Sequence, residues 1–383
     1  MKTPNDVTVG RNRLRTRSRL LLHAFCFLLL ALGSLLLAHS SEAKVTGNCS
    51  DCHTMHNSQN GTNVNVQFLA IGETDTGPKG FLLRGTCIGC HGQNASGALN
   101  IFPFGNIPQV WHNAGTDLAG GNFGYVSTKT GAANDKGHNV TDLGTSFKET
   151  VLTAPPGDQH STGITNNNFT CAGTYGCHGA RNQSDKLLAM KGAHHTDDSV
   201  LKFGSINVSA QGGSPGLSYR FLNGVKGGED TDWQATLRST DHNEYFGATS
   251  MGPSSATAPA NSTISGLCAE CHGNYHGDGG SGDPGTGTVS PWYRHPTDLS
   301  LSSSGEYLGY TAYSTIVPVA RTTIPGSPSA TVTPTGTTDD IIMCLSCHRA
   351  HASPYFKIMR WDYKGWPGSG GTNGCNVCHT SKI

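Results

Sequence analysis

Six times the chain brings two cysteines and a histidine into one short stretch, and in five of these the spacing is Cys-x-x-Cys-His. The five are Cys49-Ser-Asp-Cys52-His53, Cys87-Ile-Gly-Cys90-His91, Cys268-Ala-Glu-Cys271-His272, Cys344-Leu-Ser-Cys347-His348 and Cys375-Asn-Val-Cys378-His379. In the remaining one, Cys171-Ala-Gly-Thr-Tyr-Gly-Cys177-His178, five residues separate the cysteines. We number them sites 1 to 6 in chain order. Cys-x-x-Cys-His is the attachment pattern of c-type haem: two thiols reach the two vinyl groups of one porphyrin and the adjacent imidazole turns onto the iron. Chance alone would produce such a match about 0.02 times in a chain of this cysteine and histidine content. Five matches identify a multihaem cytochrome c.

The other cysteines leave no competing framework. Of 13 cysteines, only Cys26 lies outside the six pairs, so no thiol remains for a separate set of disulfides. A zinc knuckle is the alternative for Cys-x-x-Cys pairs, but Cys₄ or Cys₂His₂ ligation gives no reason for a histidine directly after every second cysteine.

Residues 1–43 read as a secretory signal. Arg11, Arg13, Arg15, Arg17 and Arg19 form the positive region, Leu20 to Ala38 is the apolar run, and Ser41-Glu-Ala43 offers small residues for cleavage. Retention of the run as a membrane anchor is the alternative; its early position and small-residue exit favour cleavage, so no retained span is expected. Cleavage would leave 44–383 as one cofactor-cored hexahaem domain, with a division into two lobes near residue 205. Without Lys2, the five arginines, Asp6 and Glu42, the mature chain carries 20 basic and 24 acidic residues. That balance excludes the basic footprint of a nucleic-acid binder.

Only 35% of the chain is apolar and 51 residues are glycine, too little Leu, Ile and Val for an ordinary core. Haems supply the missing apolar surface. The expected fold is therefore mostly irregular, with short helices and few strands, built around a chain of haems. A helical turn is expected over Ser184–Lys191 and a strand over Leu217–Gly224. Gly247–Gly266, Gly277–Ser290 and Pro325–Asp339 read as surface loops.

The second axial ligands separate electron carriage from substrate chemistry, because a haem with two protein ligands is closed and one with an open position binds substrate. Outside the motifs the mature chain has ten histidines: His56, His112, His138, His160, His194, His195, His242, His276, His295 and His351. Six suffice for bis-histidine ligation throughout, and our candidates are His56, His138, His195, His276, His295 and His351. His112, His194 and His242 stay open as alternatives. His56 and His351 each follow a motif histidine by three residues, too close to reach the far face of the same haem but able to ligate an adjacent one. Met55, Met190, Met251, Met343 and Met359 are the other axial donors available. No Cys-x-x-Cys-Lys motif of a catalytic reductase occurs, and no catalytic residue is expected.

Site 3 departs from the pattern. Gly173 and Gly176 free the backbone to bring Cys171 and Cys177 near one porphyrin, which would make six haems c. The alternatives are attachment through Cys177 alone, or a Cys171–Cys177 disulfide that reduces the count to five.

Two stretches carry a closer likeness. Cys49-Ser-Asp-Cys-His-Thr-Met-His56-Asn-Ser, with Phe81-Leu-Leu-Arg-Gly before site 2, resembles the hexahaem outer-surface filament cytochromes of metal-reducing bacteria. The likeness covers residues 47–92. Residues 268–379 are similar to the doubled Cys-x-x-Cys-His cytochromes. The first resemblance implies an exported conductor at the cell surface, passing electrons to redox partners or extracellular acceptors. It also implies a homopolymer in which His56 ligates a haem of the neighbouring subunit, although the wide third motif departs from that family. The competing readings are a periplasmic electron shuttle and a multihaem reductase with one open haem.

Overall fold

The computed structural model describes His23 and residues 49–63, 77–92, 99–102, 105–144, 147, 149–157, 163–191, 214–230, 232–249, 260–275, 295–337, 339–365 and 373–381. The expected signal (apart from His23), Cys26, Met251, His160, His194, His195, His276, the Gly277–Ser290 loop and the division near 205 lie outside the described residues. Ala43–Ile383 is one compact unit.

As expected, regular structure is sparse, and most of it belongs to the motifs. Of the six short helices described from residue 49 onward, five carry motif cysteines: α1 (Cys49–Cys52), α2 (Cys87–His91), α4 (Ile264–Ala269), α5 (Cys344–Cys347) and α6 (Cys375–Cys378). The remaining one, α3 (Lys186–Ala189), falls inside the expected turn, with Asp185 accepting from the Leu187 and Leu188 N–H groups. A single helical turn fixes many dihedrals for one hydrogen bond and is marginal alone. Packing therefore holds these turns. Ile88 in α2, Leu267 and Ala269 in α4, and Leu345 in α5 are buried.

Among the described residues, nine short strands form two hairpins and one larger sheet. β1 (Ser58–Gln59) pairs β2 (Thr62–Asn63), and β3 (Leu99–Phe102) pairs β4 (Gly105–Pro108). The larger sheet contains β5 (Gly227–Gly228), β6 (Glu244–Phe246), β7 (Leu299–Ser300), β8 (Ala320–Arg321) and β9 (Ile341–Ile342), in the order β5-β6-β8-β9-β7. β6 and β8 run parallel with Tyr245 opposite Ala320, and the other pairings are antiparallel.

Three apolar clusters divide the interior, and each touches motif residues. The first joins Ile88, Trp111, Phe123, Val126, Val140, Leu143 and Ala352, with Cys171 against it. A second gathers Tyr219, Leu222, Tyr245, Ile264, Leu267 and Ile341, with Cys177 against it. The third contains Tyr310, Tyr313, Val319, Trp361 and Cys378, with Cys347 and Cys375 packed on it. The apolar residues the chain does have are thus spent between neighbouring sites.

Two expectations are corrected. Leu217–Gly224 forms two successive 3-10 turns, Pro215–Leu217 and Tyr219–Phe221, instead of a strand. Arg220 and Phe221 sit at φ +48° and +59°, which an extended strand does not allow. The end of Gly247–Gly266 is interior, because Ala260, Ser262, Thr263 and Ile264 lead buried into α4.

Candidate haem-binding sites

In each regular motif the histidine N–H closes one turn onto the carbonyl of the first cysteine. The bonds are 2.8 Å for His53 to Cys49, 2.9 Å for His272 to Cys268, 3.0 Å for His348 to Cys344 and 2.9 Å for His379 to Cys375; His91 is helical within α2. Cysteines three apart on such a turn share a face. Site 3 makes the same closure across its longer gap, with His178 N–H donating to the Cys171 carbonyl at 3.0 Å. The extra residues leave and re-enter as a loop, tied by Gly176 N–H to the Gly173 carbonyl at 3.0 Å. Gly173 takes φ +85°, whereas Gly176 is needed for space: a Cβ there would lie 2.5 Å from Ala172 N and Thr170 O. All described cysteines are free thiols, Cys171 and Cys177 included.

A second regularity concerns the histidine rings. Five motif histidines donate Nδ1–H to a backbone carbonyl: His53 to Leu82 (3.0 Å), His91 to Pro108 (2.9 Å), His178 to Arg220 (2.9 Å), His272 to Pro156 (2.7 Å) and His348 to Lys357 (3.1 Å). His379 instead donates to the Glu306 carboxylate at 2.9 Å. Carbonyl oxygen can only accept, so Nδ1 holds the proton and Nε2 keeps its lone pair for a metal. Four further candidates share the anchoring or the burial. His56 donates Nδ1–H to Lys79 (2.8 Å), His138 to Ala350 (2.7 Å) and His295 to Pro296 (2.9 Å). Burial lowers His138 to about 4 and His351 to about 3, with nearby imidazoles (first His272 and His178 respectively) adding to the effect. It also lowers His91, His178, His295 and His348. These imidazoles are neutral at pH 7, the form that ligates iron.

Three candidates face motif histidines. The ring centres of His138 and His272 are 6.1 Å apart, those of His178 and His351 6.3 Å, and those of His295 and His379 6.1 Å. Two imidazoles on opposite sides of one metal, each bound through a nitrogen about 2 Å away with the ring centre about 1 Å further back, give roughly 6 Å. These pairs fit that geometry.

At three junctions the thiols of successive sites also meet. Cys90 hydrogen-bonds Cys52, Cys171 hydrogen-bonds Cys87, and Cys268 hydrogen-bonds Cys344; in each case this contact, then burial, raises the pKa well above the usual thiol value. Cys177 is close enough to Cys268, and Cys378 to Cys347, to interact electrostatically. Burial pushes Cys347 and Cys378 up to about 12. Thiol hydrogen bonds thus link site 1 to 2, 2 to 3 and 4 to 5, while sites 3 and 4 and sites 5 and 6 are coupled electrostatically. Among the described residues, the one convergent group of metal-ligating atoms is Cys87, Asp142 and Cys171, at the junction of sites 2 and 3. It has neither the four ligands nor the within-motif pairing of a zinc knuckle.

Other candidates are placed elsewhere. His56 is exposed at φ +53°, and among the described residues no histidine ring faces it. His242 is fully buried, with Nδ1 2.9 Å from the Asn243 carbonyl, Nε2 3.3 Å from the Ser329 carbonyl and its ring stacked on Tyr313 at 3.6 Å. His112 is fully buried with Nε2 3.7 Å from the Asp117 carboxylate. Met343 is buried in the second apolar cluster and Met55 is 69% exposed.

Sequence reasoning missed the acceptors that aim the rings. Leu82, Arg220 and Lys357 occupy the second position of Phe81-Leu-Leu, Tyr219-Arg-Phe-Leu and Phe356-Lys-Ile-Met, an aromatic-x-apolar signal that recurs. Arg220 and Lys357 adopt φ +48° and +55°, a strain of about 1–2 kcal/mol each that turns the carbonyl toward the imidazole. Also missed was Arg360, a buried cation whose backbone N–H donates to the Cys347 carbonyl at 2.8 Å. Its Nε and Nη2 bond the Ile316 and Thr315 carbonyls, while buried Nη1 has no protein partner.

Comparison with known proteins agrees with the motifs. The doubled CXXCH motif family matches residues 337–383. Over 375 residues, 82% of this chain and 78% of the relative, the sequence is 25% identical to the C-type cytochrome OmcS of Geobacter sulfurreducens. A cryo-EM structure of the OmcS nanowires from that organism covers 83% of this chain and 84% of its own, at 18% identity and a TM-score of 0.41. A structure of the outer membrane cytochrome S filament covers 84% and 85%, at 17% identity and a TM-score of 0.41. Among the described residues no helix is long and apolar enough to cross a membrane.

Proposed function

We propose that this chain, a multihaem c-type cytochrome similar to OmcS, is exported and conducts electrons through six bis-histidine haems held in chain order. The observation that carries the reading is the set of three imidazole pairs with ring centres 6.1–6.3 Å apart, in which every motif ring is anchored through Nδ1. By this reading His138 and His272 would together hold one haem iron, His351 and His178 another, and His295 and His379 a third. His53, His91 and His348 take their partners from His56, His195 and His276 or, for site 1, from another subunit. Each bound haem supplies a one-electron Fe(III)/Fe(II) couple. The protein's residues fix the spacing, aim the imidazoles and keep them neutral.

The same closing bond at site 3 supports attachment through both Cys171 and Cys177. The thiol contacts of sites 1 with 2, 2 with 3 and 4 with 5, and the electrostatic coupling of 3 with 4 and 5 with 6, support a continuous relay, with site 1 at one end and site 6 at the other. Exposed His56, its Nδ1 anchored on the Lys79 carbonyl, supports a homopolymer in which it ligates a neighbouring subunit's haem. Delivery to acceptors at the cell surface follows from the predicted export and that assembly.

Pyridine haemochrome analysis should give six haems per chain, with low-spin spectra in both oxidation states. Surface material should contain filaments under the electron microscope that His56→Ala disrupts. Normal filaments from that variant would remove the inter-subunit role, and a high-spin, ligand-binding haem in the wild type would favour a reductase.

A further inference from the structure

One proximal histidine is anchored unlike the rest. Sites 1 to 5 use neutral backbone carbonyls, whereas at site 6 His379 Nδ1 lies 2.9 Å from Glu306 Oε1, with both side chains about five-sixths buried (16% and 15% exposed). The contact is built into the fold. Glu306 belongs to the 3-10 turn Gly305–Gly309, which packs against α6. Thr380 Oγ1 donates to the Glu306 carbonyl, and Ser381 Oγ donates to Oε2 at 3.4 Å. Tyr307, from the same turn, places its ring 5.4 Å from His379 and screens the contact. Across the pair, His295 donates to the neutral Pro296 carbonyl.

A carboxylate draws the Nδ1 proton more strongly than a carbonyl does and leaves more electron density on Nε2. The richer donor favours the ferric over the ferrous ion. We infer that Glu306 is a positioning residue that holds the haem of site 6 at a lower potential than carbonyl anchoring would, creating a potential step at the carboxyl-terminal end of the relay. The inference rests on the six-haem reading above. A charge-assisted bond is roughly twice as strong as a neutral one. The expected effect of removing the charge is on the order of tenfold in the reduction equilibrium of that haem, about 59 mV for one electron.

The test is a spectroelectrochemical titration of the full haem-loaded protein as wild type, Glu306→Gln and Glu306→Asp, with haemochrome analysis of each. In Glu306→Gln, one-sixth of the haem absorbance should titrate about 59 mV higher, with six haems retained. Glu306→Asp, which keeps the charge, should follow the wild type. Superimposable curves for Glu306→Gln and wild type would overturn the proposal. So would loss of one haem from Glu306→Gln, which would make the carboxylate a structural anchor. Fewer than six haems in the wild type itself would instead refute the underlying reading.

Discussion

The wide motif offers the sharpest test of how this chain builds a haem site, and Gly176→Ala is the perturbation. An added Cβ would stand 2.5 Å from both Ala172 N and Thr170 O and 2.7 Å from Cys171 C. All three are backbone atoms of the strand of chain that carries the first thiol, so no flexible side chain can yield. Overpacking of this kind costs about 1–3 kcal/mol. The cheapest relief is to open the loop, which breaks the 3.0 Å bond from His178 N–H to the Cys171 carbonyl and separates the thiols. About 2 kcal/mol against closure corresponds to roughly a thirtyfold drop in the closed form. The majority of exported Gly176→Ala chains should then carry five haems, by haemochrome analysis and intact mass. Gly326→Ala is the control, since its Cβ would meet nothing within 4 Å, and it should retain six. If Gly176→Ala also retains six haems with an unchanged denaturation midpoint, the tight-loop account of site 3 is wrong.

Other outcomes are equally specific. His295→Ala and His351→Ala should each convert about one-sixth of the haem to a high-spin, carbon-monoxide-binding form, whereas His242→Phe, at a ring stacked on Tyr313, should leave the spectrum low-spin. Arg321→Met strips the buried Glu244 carboxylate of its ion pair and should destabilise the fold by about 3–5 kcal/mol in urea titrations; a change below 1 kcal/mol would show the pair to be dispensable. Asp230 is raised to about 7 by burial, then by Asp232. Its folded pKa exceeds the unfolded value, so its contribution to stability is full below about pH 4 and is lost as pH rises through 7, on the order of 4 kcal/mol. Asp230→Asn should flatten that dependence, and an unchanged pH profile would show that another group is responsible.

Legibility differed by residue. The five regular motifs were readable because their chemistry is local: a thiol, two residues, a thiol and an imidazole close one helical turn wherever they occur. The shortage of apolar residues likewise announced a sparse, irregular fold. The strand expected at Leu217–Gly224 failed because its alternating pattern was shaped by another demand. Tyr219 and Leu222 fill the second apolar cluster, while Arg220, held at positive φ, turns its carbonyl to His178. No local motif marks His295 or His138, yet both face motif imidazoles at 6.1 Å.

What the sequence determined by itself is the cofactor chemistry and the number of places where it can occur, since covalent attachment needs only neighbours along the chain. Which imidazole faces which, which sites adjoin, and which ring is held by a carboxylate were decided by the tertiary structure. The reason is physical. Closing a loop costs entropy that grows only with the logarithm of its length, so a ligand can be recruited from almost anywhere. No local spacing or periodicity marks the residue recruited.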